Sequence, residues 1–571
     1  MRKPMRLLVT IVAVALLGLI AGAQTRQFRS VTDEMLRNPS AGDWLYWRGT
    51  GQSQGYSRLD QINRSNVGQL QLAWAWEMEA GNQQAAPIVY DGVLYVASPG
   101  GTVDALDGAT GDLLWQYRHE VEGEARRAGS AIRGLSIYDD KVFLNTVDAR
   151  IVALDARTGK VVWNVAVADP KKGFSYSAGS IIARGKVISG LQGCARFYDD
   201  KCAITAHDAK TGKELWRTVT IARPGEPGGD TWGDVASMFR AGTDMWIPGS
   251  YDPDLNLIFW STSQAKPWTR EARGTDGDAL YSNSTLALDP ETGKIVWYHQ
   301  FVPGETQDMD EVFESVLVDA GGRSSIFKMG KLGILWEIDR RTGNFVHATD
   351  LGYQNILRVD PKTGKVTYSR DMIPKLNQEL DMCPSFGGVK SWRAMAYSPE
   401  TQAFYIPTQL TCQKITFLDV KKVEGGGGVG QGRRDNYQHP VSGGEIGEFL
   451  AMSTSGEILW KKRQRASFNT AALTTAGGLV FVGDWNRYIN AYDVKNGNLL
   501  WQTRAATSAQ GFPISYAVRG RQYIAVPVGV GAASWGTEIP IKLTPELKRP
   551  NSGNSIMVFA LPQSPAAAPR R

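Results

Sequence analysis

Short apolar runs alternate with polar turn clusters along most of the chain. Almost no segment carries the sustained 3.6-residue period of a long helix. Runs such as Lys141-Val-Phe-Leu-Asn and Leu479-Val-Phe-Val-Gly are rich in β-branched and aromatic residues and predict short strands. Between them a pattern recurs, A-x-D-x-x-T-G-x-x-x-W, at Ala105 to Trp115, Ala153 to Trp163, Ala206 to Trp216 and Ala287 to Trp297. Ala491 to Trp501 has Asn496 for the threonine. Glu337 to His347 is a worn copy, and Ala451 to Trp460 is one residue short. Asp-x-x-Thr-Gly has the chemistry of a tight turn, the aspartate capping backbone N–H groups and the glycine taking positive φ. Each copy therefore predicts a small antiparallel sheet whose terminal tryptophan packs on the next turn.

A repeat of this kind implies stacked or ring-forming sheets. The chain ends in an unpaired strand, Ser555-Ile-Met-Val-Phe-Ala-Leu, with no turn or tryptophan after it. Gln69 to Trp76 near the start, with Trp74 in the repeat position, supplies the missing piece. The expected fold is all-β: an eight-bladed β-propeller with tryptophan-docking repeats at positions 74, 115, 163, 216, 297, 347, 460 and 501. An N-terminal strand closes the ring and removes a sheet edge. The long steps from 216 to 297 and from 347 to 460 call for insertions, placed at about 218–245, 353–382 and 421–445. Residues 24–571 are read as this single propeller domain.

The N-terminus changes the setting. Arg2, Lys3 and Arg6 precede an apolar run from Leu7 to Ile20, and Ala21-Gly22-Ala23 fits a cleavage site. The run is short for a membrane span. Residues 1–23 are expected to be a signal peptide cleaved after Ala23, giving a periplasmic protein without a stable membrane anchor. Removing the three basic residues brings the net charge from +6 to +3, which with no basic run gives no case for nucleic acid. Four cysteines, Cys194, Cys202, Cys383 and Cys412, in an exported chain favour two disulfides. Sequence order suggests Cys194–Cys202 and Cys383–Cys412; a thiolate metal site is the alternative, without a CxxC pair in its favour. No CxxCH occurs, so no attached c-type haem is expected. Gly425-Gly-Gly-Gly-Val-Gly-Gln-Gly lacks the following Lys-Ser/Thr of a phosphate loop. It reads as a flexible insertion over the propeller face, a candidate substrate lid. The five histidines show no zinc spacing.

These residues together resemble the quinoprotein alcohol dehydrogenases, the family of methanol and ethanol dehydrogenases that hold pyrroloquinoline quinone (PQQ) at the propeller axis. Trp44-Leu-Tyr-Trp-Arg-Gly, Gln61-Ile-Asn-Arg-Ser-Asn-Val, Gln510-Gly-Phe-Pro-Ile-Ser-Tyr and Gln522-Tyr-Ile-Ala-Val carry the likeness outside the repeat. Cys383 and Cys412 look like the family's long-range disulfide. The resemblance implies that Trp246 stacks on the quinone and that Asp308 is the catalytic aspartate, taking the alcohol proton while hydride moves to the quinone C5. It implies that Lys331 hydrogen-bonds the quinone oxygens, stabilising charge developing at the C5 carbonyl, and that Arg133 pairs with a PQQ carboxylate. Ser177, Gln192 and Gly193 fall where the family hydrogen-bonds the cofactor, with Gln84 near another such contact.

The chain also departs from that pattern. The family's adjacent-cysteine ring would fall at Arg127-Ala128, and its metal-binding glutamate at Ala195. The metal-binding asparagine is Gln264, an asparagine contacting PQQ is Ser391, and a pocket tryptophan is Asn469. A hard cation wants several oxygen ligands, and Asp308, Gln264, Asp310 and the cofactor remain to supply them. Ca2+ is the expected metal, with a lanthanide as the alternative that the Asp308-x-Asp310 spacing resembles. The implied activity is a periplasmic PQQ-dependent alcohol dehydrogenase. It would act on a primary or secondary alcohol bulkier than methanol and pass electrons to a separate soluble cytochrome c or a dye, as a monomer or homodimer. A non-catalytic propeller scaffold and a degenerate quinoprotein are the competing readings.

Overall fold

The computed structural model describes residues 28–121, 131–531 and 535–563. The proposed signal peptide and Arg127-Ala128 lie outside them. The fold is an all-β propeller, with helix confined to short segments such as Asp33–Arg37, Arg270–Arg273 and Trp535–Leu543. Among the described residues, eight sheets carry four antiparallel strands in sequential order. Numbered along the chain, their first strands are Ile88–Tyr90, Ser136–Tyr138, Ile181–Ala183, Ser250–Asp252, Val316–Ala320, Ala396–Ser398, Leu473–Thr475 and Ile514–Val518. In sheet eight the fourth strand is Gln71–Glu77, paired antiparallel with Ser555–Ala560 from Gln71 opposite Ala560 to Glu77 opposite Ser555. Tyr56–Ser57 adds a parallel strand to sheet seven.

The repeat's chemistry is visible in its turns. Asp155 Oδ1 accepts the N–H groups of Arg157 and Thr158 at 3.0 Å each, and Gly159 sits at φ +69°. The indole of Trp115, from the preceding sheet, lies flat over that glycine and donates from Nε1 to Ala156 O at 3.0 Å. Trp163, Trp216 and Trp460 dock the same way on Ala209, Pro290 and Val494. Trp501 donates to Leu70 O, and Trp74 to Gly108 O on sheet one, each at 3.3 Å. A Cβ at Gly159 would stand 2.5 Å from the Trp115 ring. Gly159→Ala should therefore cost about 3 kcal/mol, combining left-handed strain with overpacking. A urea midpoint unchanged from the parent would refute this account of the docking.

The worn copy has a structural consequence. His347 bonds Thr349 Oγ1 at 3.1 Å, and the side chain set against the next turn glycine, Gly456, is Thr349. Phe345 instead covers Gly364. That glycine belongs to a hairpin, Leu357–Val359 with Val366–Tyr368, inside the 353–382 insertion. Its turn, Asp360-Pro-Lys-Thr-Gly364, is a further copy of the repeat turn, with Tyr368 in the tryptophan position.

The insertion in sheet six runs from the end of Ala403–Gln409 to the start of Gly447–Ser453, wider than 421–445. Two of its strands, Thr411–Phe417 and Gln431–Gln438, join Glu379–Met382 in a three-stranded sheet. The glycine-rich stretch between them is pinned rather than loose. Gly425 N bonds Phe197 O at 2.8 Å, Phe197 N bonds Gly426 O at 3.1 Å, and Gly428 N bonds Ala195 O at 2.8 Å. Its backbone ladder is thus with the loop closed by the Cys194–Cys202 disulfide. The second disulfide, Cys383–Cys412, ties the start of Thr411–Phe417 to the segment after Glu379–Met382.

Candidate active site

The first strand of each sheet in a propeller lies nearest the axis, so residues just before it line one end of the channel. Four residues before the first strands stand Gln84, Ser177, Trp246, Trp392, Asn469 and Gln510; three before stand Arg133, Phe313 and Arg393. Backbone bonds join neighbouring segments: Arg133 N to Ser177 O at 2.8 Å, Ala472 N to Ala394 O at 2.9 Å and Phe512 N to Ala85 O at 2.9 Å.

Arg133 organises one arc. Its Nε donates to Gln84 Oε1 at 2.8 Å, and its Nη1 to Ser177 Oγ at 2.8 Å and Trp246 O at 2.9 Å. Ser177 Oγ donates on to Gln192 Oε1 at 2.6 Å. The guanidinium carbon lies 5.1 Å from the Trp246 ring centre. Trp246 is only half-buried, as are Gln192 and Gly193, while Phe313 meets its ring edge-on at 5.1 Å. Among the described residues, burial alone pulls the Arg133 pKa down, with no carboxylate contributing. A guanidinium enclosed without a counter-ion is costly unless a bound molecule supplies one.

The second element centres on Asp308, buried at φ +67°. Lys331 Nζ lies 2.9 Å from Asp308 Oδ2 and 2.8 Å from Asp310 Oδ2, and donates to Asp308 O at 2.8 Å. Gln264 Nε2 donates to Asp308 Oδ1, and Gln264 Oε1 is buried without a partner. Burial pushes the Asp308 carboxyl well above the ordinary carboxylate range; Lys331 opposes this and Asp310 adds to it. Burial also works against the Lys331 charge, but the two carboxylates outweigh it and hold its pKa above the lysine range. The two elements meet through the backbone: Thr243 N bonds Gln264 O and Ser263 N bonds Asp244 O, both at 3.0 Å.

The structure thus brings Gln84, Arg133, Ser177, Gln192 and Trp246 together, and Gln264, Asp308, Asp310 and Lys331 together. Gly193 joins through Asp244, whose Oδ1 accepts the N–H groups of Gly193 at 2.6 Å and Cys194 at 3.0 Å. Asp244 Oδ2 meets Lys266 Nζ at 2.6 Å. Sequence reasoning missed this pair, although Asp244 and Lys266 each stand two residues from a residue it named. Ser391 is buried beside Trp392 and Arg393. Among the described residues, the sets of three potential metal-ligating side chains that converge are built on the disulfide cysteines. Asp308 and Asp310 offer two carboxylates, with the unpartnered Gln264 Oε1 as a third oxygen. An open cleft of about 800 Å³ lies elsewhere, lined by residues of the 33–58 segment and by Tyr251 to Asp254 and Asn256.

Comparison with known proteins adds the rest. The profile of a family described as PQQ, glucose/ethanol/alcohol dehydrogenase, beta-propeller domain, matches residues 44–350 and 441–524. The chain is 31% identical over 612 residues to quinohemoprotein alcohol dehydrogenase ADH IIB of Pseudomonas putida, covering 100% of this chain and 84% of that protein. It is 31% identical over 603 residues to quinoprotein alcohol dehydrogenase PedH of Pseudomonas putida, covering 98% of each. Among solved structures, a europium-containing methanol dehydrogenase superposes with a TM-score of 0.86 at 27% identity, covering 93% of this chain and 100% of that one. The quinohemoprotein alcohol dehydrogenase ADHIIG of Pseudomonas putida HK5 gives 0.84 at 28%, covering 95% and 84%.

Proposed function

The chain belongs to the PQQ-dependent alcohol dehydrogenase family, and from that premise we propose that it is a periplasmic dehydrogenase oxidising a primary or secondary alcohol bulkier than methanol. Its eight sheets form one ring closed by Gln71–Glu77, and electrons leave to a separate soluble cytochrome c. Among the described residues no helix is long and apolar enough to cross a membrane.

The observation that carries the reading is the pairing of a half-open tryptophan face, and a guanidinium with no counter-ion among the described residues, with a buried, cation-held carboxylate. A flat cofactor with carboxylates fits the first: Trp246 offers a stacking face, and Arg133 with Gln84, Ser177, Gln192 and Gly193 offers polar partners at its edge. When bound, PQQ supplies the two-electron acceptor for the hydride of the alcohol carbon. Asp308 receives the hydroxyl proton on its carboxylate, held in place by Lys331 at Oδ2 and Gln264 at Oδ1. Lys331 opposes the upward pull of burial on that carboxyl's pKa and, as a fixed cation, stabilises negative charge developing beside it. Enclosure of the centre keeps competing water from the base. Asp308, Asp310 and Gln264 Oε1 would hold Ca2+, or a lanthanide in its place, leaving further oxygen positions to the cofactor; Ala195 contributes none.

Full-length chain loaded with PQQ and Ca2+, or with PQQ and a lanthanide, should reduce an artificial dye on a panel of primary and secondary alcohols. PQQ bound stoichiometrically with no turnover of any alcohol under either metal would sink the dehydrogenase reading.

A further inference from the structure

The arc of the axial ring opposite Arg133 is built differently. Arg393, in the segment before sheet six, is fully buried. Its Nη1 donates to Gln409 Oε1 at 2.9 Å, whereas Nε and Nη2 are buried without partners among the described residues. Beside it, before sheets seven and eight, Asn469 and Gln510 are also fully buried, each with both amide atoms unpartnered among the described residues. Asn469 and Gln510 occupy the same register as Gln84, Ser177 and Trp246, and Arg393 that of Arg133; their segments are neighbours: Ala394 bonds Ala472, and Gly483 packs between Thr470 and Ala509.

This arc adjoins the Asp308–Lys331 centre. Gln409, the partner of Arg393, bonds Val389 O through its backbone N–H at 2.7 Å, and Val389 N bonds Lys331 O at 2.8 Å. Burial lowers the Arg393 pKa, to about 10, and among the described residues no carboxylate contributes.

We propose that Arg393 is the receptor for a carboxylate carried by the substrate, and that Asn469 and Gln510 bind additional substrate hydroxyls, so that the preferred substrates are hydroxy acids. The inference rests on the dehydrogenase reading above and narrows its substrate class. A guanidinium edge with Nε and an Nη free matches the two oxygens of a carboxylate. An anion alone would leave Asn469 Oδ1 and Gln510 Oε1 unpaired, since those acceptors need a donor. A hydroxyl is both donor and acceptor and serves either side of an amide. A simple alkyl alcohol would leave the six unpartnered polar atoms of Arg393, Asn469 and Gln510 unsatisfied. A site built to hydrogen-bond polar groups discriminates strongly against analogues that lack them.

The test uses the full-length chain loaded with PQQ and Ca2+. Glycerate and glycerol form a matched pair differing in the carboxylate, and succinate is an anion with no alcohol to oxidise. The parent should show a kcat/KM for glycerate at least 100-fold above that for glycerol, and calorimetry should detect succinate binding. Arg393→Met should lose at least 100-fold on glycerate, change less than about threefold on glycerol, and lose succinate binding. Arg393→Lys, which keeps the charge but not the fork, should retain about a tenth of the glycerate activity. The proposal is overturned if the parent shows no preference for glycerate. It is equally overturned if Arg393→Met weakens PQQ binding, followed by tryptophan fluorescence quenching, and lowers both substrates alike; the guanidinium then serves the cofactor. No oxidation of any alcohol by the parent sinks the dehydrogenase reading instead, and succinate binding to the parent and to Arg393→Met still decides whether Arg393 takes a carboxylate.

Discussion

Asp308→Asn should lower kcat/KM by about 10³-fold on every alcohol substrate while leaving PQQ binding nearly intact. A positioned general base contributes about 10²–10⁴-fold, and asparagine removes that function with little other disturbance. The residue sits at φ +67°, a left-handed conformation that asparagine and aspartate tolerate better than other side-chain-bearing residues. The Asp308 carbonyl still accepts from Lys331, because that bond is to the backbone. An alanine at this position would confuse strain with chemistry. Steady-state kinetics and a PQQ titration on the purified variant separate the two. Activity within tenfold of the parent would remove Asp308 as the base. In the parent, kcat/KM should rise with pH through the titration of Asp308. Burial places that acid limb above the ordinary carboxylate range, and the variant should lack it.

The fold was legible because its signal is local. Apart from Gly293 and Trp216, separated by the insertion between them, each Asp-x-x-Thr-Gly turn and the tryptophan that covers its glycine fall within about one repeat unit of one another, so turn chemistry and spacing located the sheets. The same rule, applied to Asp360-Pro-Lys-Thr-Gly364, would have found the inserted hairpin. Its Tyr368 in place of tryptophan and its position out of series hid it. The glycine-rich segment misled for the opposite reason. Composition alone suggested a loose loop, but its order comes from Ala195 and Phe197, more than 200 residues away in sequence.

The site was legible only in part. Resemblance pointed to Asp308, Lys331, Trp246 and Arg133, whose side chains do converge in two connected groups. Nothing in the sequence marks Arg393; resemblance set Asn469 at a pocket tryptophan's place and Gln510 in a matched stretch, but the common place of the three emerges only once the start of each first strand is fixed. The Asp244–Lys266 pair is similar: it bridges two segments that meet through a two-residue ladder, Ala241–Gly242 with Ala265–Lys266. Lys331 is a further case, since its central position reflects two aspartates two residues apart turning toward one ammonium.

That arrangement makes Lys331→Met the substitution with the broadest expected effect. Breaking a buried ion pair by removing one partner costs about 3–5 kcal/mol, because the remaining charge is left uncompensated. Here two buried carboxylates would share no ammonium, so one of them takes up a proton. Loss of the cation raises the Asp308 pKa further above its unfolded value. The folded variant then holds a proton that the unfolded chain releases above about pH 4, and folding stability falls as pH rises toward the folded pKa. The parent carries a smaller version of this slope. Lys331 itself, with its pKa raised, contributes stability that is fully present below the ordinary lysine value and is lost only as pH rises through the folded one. The variant should therefore be about 3 kcal/mol less stable than the parent at pH 8, with a smaller deficit at pH 5, read from urea unfolding at both. The acid limb of kcat/KM should move to higher pH. Lys331→Arg restores the charge and should recover most of the stability and bring the limb back. Equal stability deficits at the two pH values, or an unmoved limb, would mean that the Asp308 carboxylate does not depend on this ammonium for its ionisation.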